Sequence, residues 1–100
     1  MHLWNANIVM GDGRSFKGQA RIVSQHLLTV RGHELLAQDT SCRVCVKLPE
    51  VPGGSVLRQV DIPCSVNQAF YGGNAVHLKM KVKSLPPEGR QVFLANCLQP

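Results

Sequence analysis

The sequence predicts an all-β fold, a small six-stranded antiparallel β-barrel that ends in a short C-terminal helix. Three observations predict this architecture. Apolar and polar residues alternate along most of the chain, which is the pattern of half-buried strands. Turns rich in glycine and proline separate these segments, and apolar residues take up helical spacing near the end of the chain. Closing such strands into a barrel leaves few exposed edges.

Length and composition favour a single domain over residues 1–100. The chain has 100 residues, of which 44% are hydrophobic and 17% charged, as in a globular protein rather than a disordered one. No apolar run approaches the roughly 20 residues of a membrane span, and the first ten residues lack the pattern of a secretory leader. We therefore expect a cytoplasmic location, with the four cysteines as reduced thiols.

Two alternating segments joined by a glycine turn open the chain. The first strand is predicted over residues 3–10 and the second over residues 15–23, with the turn Gly11-Asp12-Gly13 between them. The side chains expected to point inward are Trp4, Ala6, Ile8 and Met10, followed by Phe16, Gly18, Ala20 and Ile22. Those expected to point outward from the second strand are Lys17, Gln19 and Arg21.

A polar break, Ser24-Gln25-His26, separates the second strand from a short third strand at residues 27–31. A connection over residues 32–40 leads to the fourth strand, residues 41–48. Alternation places four of its residues inward: Cys42, Val44, Val46 and Leu48. The prolines and glycines between positions 49 and 54 then require a reversal, because neither a helix nor a central strand tolerates them.

A long fifth strand, residues 56–69, contains Pro63. Because proline cannot donate a backbone hydrogen bond, this position predicts an edge strand or a bulge. The turn at residues 71–74 closes the last hairpin, and the sixth strand covers residues 75–84. Its inner face carries Val76, Leu78, Met80 and Val82, and its outer face carries His77, Lys79, Lys81 and Lys83.

The end of the chain changes to a helical period. Pro86 and Pro87 suit the first turn of a helix, and Glu88 favours its positive N-terminal end. Apolar residues recur at helical spacing at positions 92, 93, 95 and 97. We predict a helix of two or three turns that caps one end of the barrel.

In order and spacing these elements resemble a PilZ domain, the bacterial module that binds cyclic di-GMP. The resemblance rests on the GDG turn, the serine-centred break, the LPEVPGG turn, the two long strands and the LPPEGRQVFLANCL helix. It covers nearly the whole chain and is closest over residues 19–30 and 76–98. It implies a β-barrel with a terminal helix and a non-catalytic regulatory role in bacterial signalling.

The ligand motif of that family is largely missing. Where PilZ domains carry a [DN]xSxxG turn, Ser24 matches the serine, but Ile22 and Leu27 stand at the positions of the acidic or amide residue and of the glycine. No RxxxR segment precedes the first strand. Arginine pairs with phosphate through charge-assisted bidentate bonds that a serine does not replace. We therefore expect cyclic di-GMP binding to be lost or weak, no cofactor, and a protein partner in a signalling system.

A cyclic di-GMP receptor with a non-standard site is the alternative that keeps the ligand. Arginines near the serine-centred break would then supply the missing charge. The candidate residues for a ligand or a partner are Arg14, Arg21, Ser24, Gln25, His26 and Arg31. Solvated arginines at strand ends are the simpler explanation of the same pattern.

The outer face of the sixth strand is the strongest electrostatic feature of a chain with a formal net charge of +5. His77, Lys79, Lys81 and Lys83 leave three interpretations open: a face that is simply solvated or that discourages edge-to-edge pairing, a contact with an acidic protein, or a nucleic-acid surface. Single-strand binders stack bases on exposed aromatic rings. Most aromatic residues alternate in step with the apolar residues that point inward, and Tyr71 alone is expected to be accessible. We therefore expect any nucleic-acid role to be electrostatic and unspecific.

Metal and catalytic chemistry find little support. Cys42 and Cys45 form a CxxC pair, and Cys64 and Cys97 are the candidates to complete a zinc site. However, residues three apart on a strand point to opposite faces, and no second close pair exists. The six acidic residues are scattered over turns and strand ends, without an evident carboxylate pair. We expect buried thiols, no metal and no catalysis.

Overall fold

The computed structural model describes residues 3–97. Its elements are β1 (Trp4–Met10), β2 (Ser15–Ile22), β3 (Leu27–Gly32), β4 (Ser41–Pro49), β5 (Leu57–Gly72), β6 (Ala75–Val82) and α1 (Arg90–Ala95). The strands pair antiparallel in the order β1-β2-β3-β6-β5-β4, and β4 pairs with β1 to close the barrel. The predicted fold class is confirmed. Between residues 3 and 97 no helix is both long and apolar enough to cross a membrane.

Apolar side chains of alternating parity fill the barrel. The inward parity predicted for β1, β2, β4 and β6 is confirmed. Gly18 shows how closely the walls approach, because a Cβ atom there would lie 2.9 Å from Val30 Cγ1 and 3.0 Å from the carbonyl oxygen of Arg31. No polar or charged residue among those described is buried, so functional groups lie on the outside of the barrel. The fully buried core includes Ile8, Leu28, Val44, Ile62, Leu78 and Phe93.

The C-terminal helix is shorter than the predicted two or three turns. α1 has six residues, and the segment before it forms a turn in which Gly89 N–H donates to the carbonyl of Pro86 at 3.1 Å. Gly89 packs against the barrel wall, since a Cβ atom on it would lie 2.7 Å from Val60 Cγ1. The two prolines therefore lead the chain onto the barrel end, and the helix that follows buries Phe93 completely.

Pro63 lies in a strand that is paired on both sides. On one side of β5, Pro63 lies opposite Arg43 of β4. On the other side, β5 pairs with β6 from Cys64 onward. The predicted edge position is therefore wrong, and the bulge of this strand falls elsewhere. The missing N–H of Pro63 costs little because β6 ends at Val82, and Lys83 just beyond it donates its backbone N–H to the carbonyl of Pro63 at 2.9 Å.

A β-bulge at Asn67 changes which side chains of β5 point outward. The register between β5 and β6 shifts by one residue there. Before the bulge the even-numbered residues of β5 point inward, and after it Ala69 packs against the core while Phe70 is 42% exposed. Bulges re-aim side chains in this way. The expectation that Tyr71 is the one accessible aromatic residue is therefore wrong.

Candidate functional site

The break between β2 and β3 is a tight turn closed by its own hydrogen bonds. The N–H groups of Val23 and Ser24 donate to the carbonyl of Leu27, at 3.1 and 3.0 Å, and Leu27 N–H donates to the carbonyl of Ser24 at 3.4 Å. The Ser24 hydroxyl accepts the N–H of His26 at 3.2 Å. Serine commonly stabilises turns in this way. The structure therefore uses Ser24 to hold the shape of the turn.

Apolar side chains flank this turn, and one of them lies in the core. Ile22, at the position of the family's acidic or amide residue, is 1% exposed and belongs to the core. Leu27, at the glycine position, is half-buried opposite Lys81. Gln25 and His26 are exposed at the tip. The polar groups that the turn presents to solvent are those of Gln25 and His26.

Arg14 does not join the turn. It lies in the β1–β2 connection, at the other end of β2, a strand of eight residues that extends roughly 25 Å. Its Nε donates to Asp12 Oδ2 at 2.7 Å, and both side chains are exposed. Hydrogen bonds from the backbone N–H and the guanidinium of Arg14 lower the pKa of Asp12. Arg14 is therefore engaged locally and is remote from Ser24.

Arg21 and Arg31 lie on the outer faces of β2 and β3. Arg21 is opposite Thr29, and Arg31 is opposite Gln19 on β2 and His77 on β6. The Nε atom of Arg21 is buried and has no hydrogen-bond acceptor in the structure. These two arginines thus join the lysines of β6 rather than the turn.

Five side chains form what we call the basic outer face: Arg21, Arg31, His77, Lys79 and Lys81. The strands that carry them, β2, β3 and β6, contain no acidic residue. Lys83 follows the end of β6, and its Nζ donates to the hydroxyl of Ser41. Because β6 pairs with β3 and β5, it has no free edge, so the interpretation of its lysines as guards against edge pairing is wrong.

An aromatic stack borders the basic outer face. The rings of Phe70 and His77, which are cross-strand partners, lie 5.3 Å apart with an interplanar angle of 17°. His77 Nε2 is 3.2 Å from the carbonyl oxygen of Gly72. The neighbouring Tyr71 is 72% exposed. Strict alternation along β5 would place Phe70 inside the barrel, and the sequence signal against this is the pair of consecutive polar residues, Asn67 and Gln68, that interrupts the alternation.

A groove of about 890 Å³ crosses the opposite side of the barrel, centred on β1. We call it the β1 groove. Its lining is polar at Asn5, Asn7, Lys17 and Lys47 and apolar at Leu3, Trp4 and Leu57. We call the part lined by Leu3 and Leu57 its apolar end. The β4–β5 loop, which precedes Leu57 in the chain, exposes Val51 and Val56, at 67% and 63%.

The thiols are arranged unlike a metal site. Cys42 and Cys64 are opposed in register and buried, whereas Cys45 lies on the outer side of β4, opposite Asp61. Burial raises the pKa of Cys64 to about 12, and burial with a hydrogen bond to Asp61 raises the pKa of Cys45 to about 11. Among residues 3–97 no three histidine, cysteine or acidic side chains cluster as ligands for a metal ion.

Comparisons with known proteins support the fold. No protein-family model matches the sequence, and no curated protein matches it. A solved structure of the Bacillus subtilis inhibitor of motility, MotI/DgrA, superposes with a TM-score of 0.77 at 15% sequence identity. The match covers 97% of this chain and 46% of that protein, so the chain spans about half its length. At this identity the likeness establishes the fold, which is the PilZ-like barrel implied by the sequence resemblance.

Proposed function

We propose that this chain is a non-catalytic regulatory module of bacterial signalling that acts by contacting another protein, and that cyclic di-GMP binding in the usual mode is lost or weak. The observation that carries the proposal is the β2–β3 turn. The Ser24 hydroxyl accepts a hydrogen bond within the turn, the His26 carbonyl accepts the N–H of Val82 on β6 at 2.9 Å, and Ile22 places an apolar side chain in the core where PilZ domains present a polar one. The structural likeness to an inhibitor of motility supports a regulatory role.

The expected affinity of the described barrel follows from the arginines that residues 3–97 place at the turn. A hydrogen bond to a charged group contributes roughly 1.5–3 kcal/mol, so the loss of two such contacts weakens binding roughly 10²- to 10⁴-fold. Arg14 cannot replace them, because it pairs with Asp12 at the far end of β2. Arg21 and Arg31 are the residues of a non-standard site, but they lie on the sheet face and not around the Ser24 hydroxyl.

A protein partner is favoured by the apolar end of the β1 groove. Leu3, Val51, Val56 and Leu57 are 39–67% exposed, and the groove between the strands offers a concave surface beside them. Exposed apolar side chains beside a concave surface favour a contact with another protein. We assign the partner contact to this end of the barrel.

Cross-linking in the bacterium of origin, followed by mass spectrometry, tests the contact. We expect wild-type protein to capture a defined partner and Val56→Glu to lose it. Leu35→Glu is the matched control, because Leu35 is similarly exposed, at 51%, but lies on the β3–β4 connection. Equal recovery of the partner with both variants, or failure of the wild type to capture one, would contradict the assignment.

A further inference from the structure

We propose that the basic outer face, with Phe70 at its border, binds single-stranded nucleic acid. This inference does not rest on the proposed function, since β6 and β1 lie on opposite sides of the closed barrel. Two features carry it: an uncompensated row of cations and an aromatic platform placed beside them by the bulge at Asn67.

The cations of this face are free to meet phosphates. Lys79 and Lys81 are two residues apart on β6, which places them roughly 7 Å from each other along the strand. Arg21 and Arg31 extend the charge across the two neighbouring strands. None of these four side chains takes part in the ion pairs found among residues 3–97, which are Asp12–Arg14 and Glu50–Arg58. A one-sided positive surface of this kind attracts polyanions.

Arg21 adds a donor without an acceptor. Its side chain is half-buried against β3, beside Thr29, and its buried Nε has no hydrogen-bond partner. The buried Nε faces the barrel wall, so the contribution of Arg21 to this face is the positive charge of its guanidinium, which attracts an anionic ligand.

The aromatic platform is held rigidly. His77 is fixed by the Gly72 carbonyl on one side and by the Phe70 ring on the other. Gly72 makes room for it, because a Cβ atom there would lie 2.9 Å from His77 Cδ2. Phe70 keeps 42% of its surface exposed; its cross-strand partner His77 lies between it and Arg31, and Lys79 pairs with Gln68, two residues before Phe70.

The combination selects the ligand class. Proteins that bind single strands without sequence preference combine a basic surface that follows the phosphates with aromatic rings on which bases stack. An acidic protein would use the cations but not the platform. In a duplex the bases stack on one another and cannot reach Phe70.

Fluorescence anisotropy with a labelled oligothymidine of about 15 nucleotides tests the proposal. The probe is compared with a duplex of equal length and with a labelled oligoglutamate peptide. We expect binding near 10 µM at about 50 mM salt that weakens steeply toward about 200 mM. Lys79→Glu should weaken binding about tenfold and reduce the salt slope by about one unit. Lys47→Glu, an identical charge change in the β1 groove, should leave affinity within about twofold.

Variants of Phe70 separate stacking from charge. Phe70→Ala and Phe70→Leu should both weaken single-strand binding roughly 5- to 100-fold, because leucine restores apolar bulk without an aromatic face. Thermal unfolding of each variant shows whether the barrel is intact. Any of four results would overturn the proposal: no binding of the oligonucleotide at low salt, equal effects of Lys79→Glu and Lys47→Glu, unchanged affinity in a folded Phe70→Leu variant, or tighter binding of oligoglutamate.

Discussion

Replacing Gly89 by alanine should destabilise the protein by about 1.5 kcal/mol, because one methyl group has no space where the chain enters α1. The new Cβ atom would lie 2.7, 3.1 and 3.3 Å from Cγ1, Cγ2 and Cβ of Val60, which is 2% exposed. Overpacking of this kind costs about 1–3 kcal/mol. The backbone of Gly89, at φ −104°, suits any residue. Reduced freedom of the unfolded chain therefore offsets the cost by about 0.4–1 kcal/mol.

Thermal and urea unfolding, followed by circular dichroism, measure the effect. For 100 residues the loss corresponds to a decrease in Tm of roughly 6–12 °C. Gly11→Ala is the control, because a Cβ atom there has no neighbour within 4 Å, and it should leave Tm unchanged or slightly raised. In a Val60→Ala background the cost of Gly89→Ala should shrink by about 1 kcal/mol or more. A fully stable Gly89→Ala variant, or a cost that Val60→Ala leaves unchanged, would refute this account of the helix contact.

Three further predictions concern the core and two titrating groups. Phe93→Ala removes the fully buried side chain through which α1 packs on the core, and it should lower the free energy of unfolding in urea by about 3–5 kcal/mol. A decrease below about 1 kcal/mol would contradict this role of Phe93. Burial raises the pKa of Cys64 from 9.0 to about 12, so the stability that its protonated thiol contributes is complete below pH 9 and is lost as the pH rises to about 12. The urea midpoint should therefore fall less steeply above pH 9 in Cys64→Ala than in the wild type. Equal slopes for the two proteins would contradict this. The pKa of Asp12, followed by NMR of its carboxyl group, should lie below 3.8. Arg14→Gln should raise this pKa only part of the way toward 3.8, because the backbone N–H of residue 14 still donates to the carboxylate. A wild-type midpoint at 3.8 would rule out the hydrogen bonds.

The strand faces could be predicted from the sequence because each strand has one buried side. On β6, for example, Val76, Leu78 and Met80 alternate with basic residues, and the structure buries the apolar set. The bulge at Asn67 has only a weak sequence signal, because the consecutive polar residues Asn67 and Gln68 interrupt the alternation without a glycine or proline. Alternation alone therefore places Phe70 inside the barrel, whereas the structure exposes it.

The candidate site was predicted less well than the fold because it depends on strand neighbours that are distant in sequence. Arg14 and Arg21 are seven positions apart, but β2 separates their side chains along its length. Arg31 and His77 are far apart in sequence, yet β3 pairs with β6 and makes them direct neighbours. Local spacing places residues on faces and at turns, while the order of strands around the barrel decides which of them meet.

Calorimetric titration of the folded protein with cyclic di-GMP tests the central claim most directly, namely that the β2–β3 turn keeps its geometry without the ligand contacts. We predict no saturable binding tighter than about 100 µM, because the Ser24 hydroxyl is used within the turn and, among residues 3–97, Arg21 and Arg31 lie on the sheet face. A micromolar or tighter dissociation constant that Ser24→Ala abolishes in a folded protein would contradict the claim. Micromolar binding that Arg21→Ala and Arg31→Ala abolish would instead establish the non-standard site.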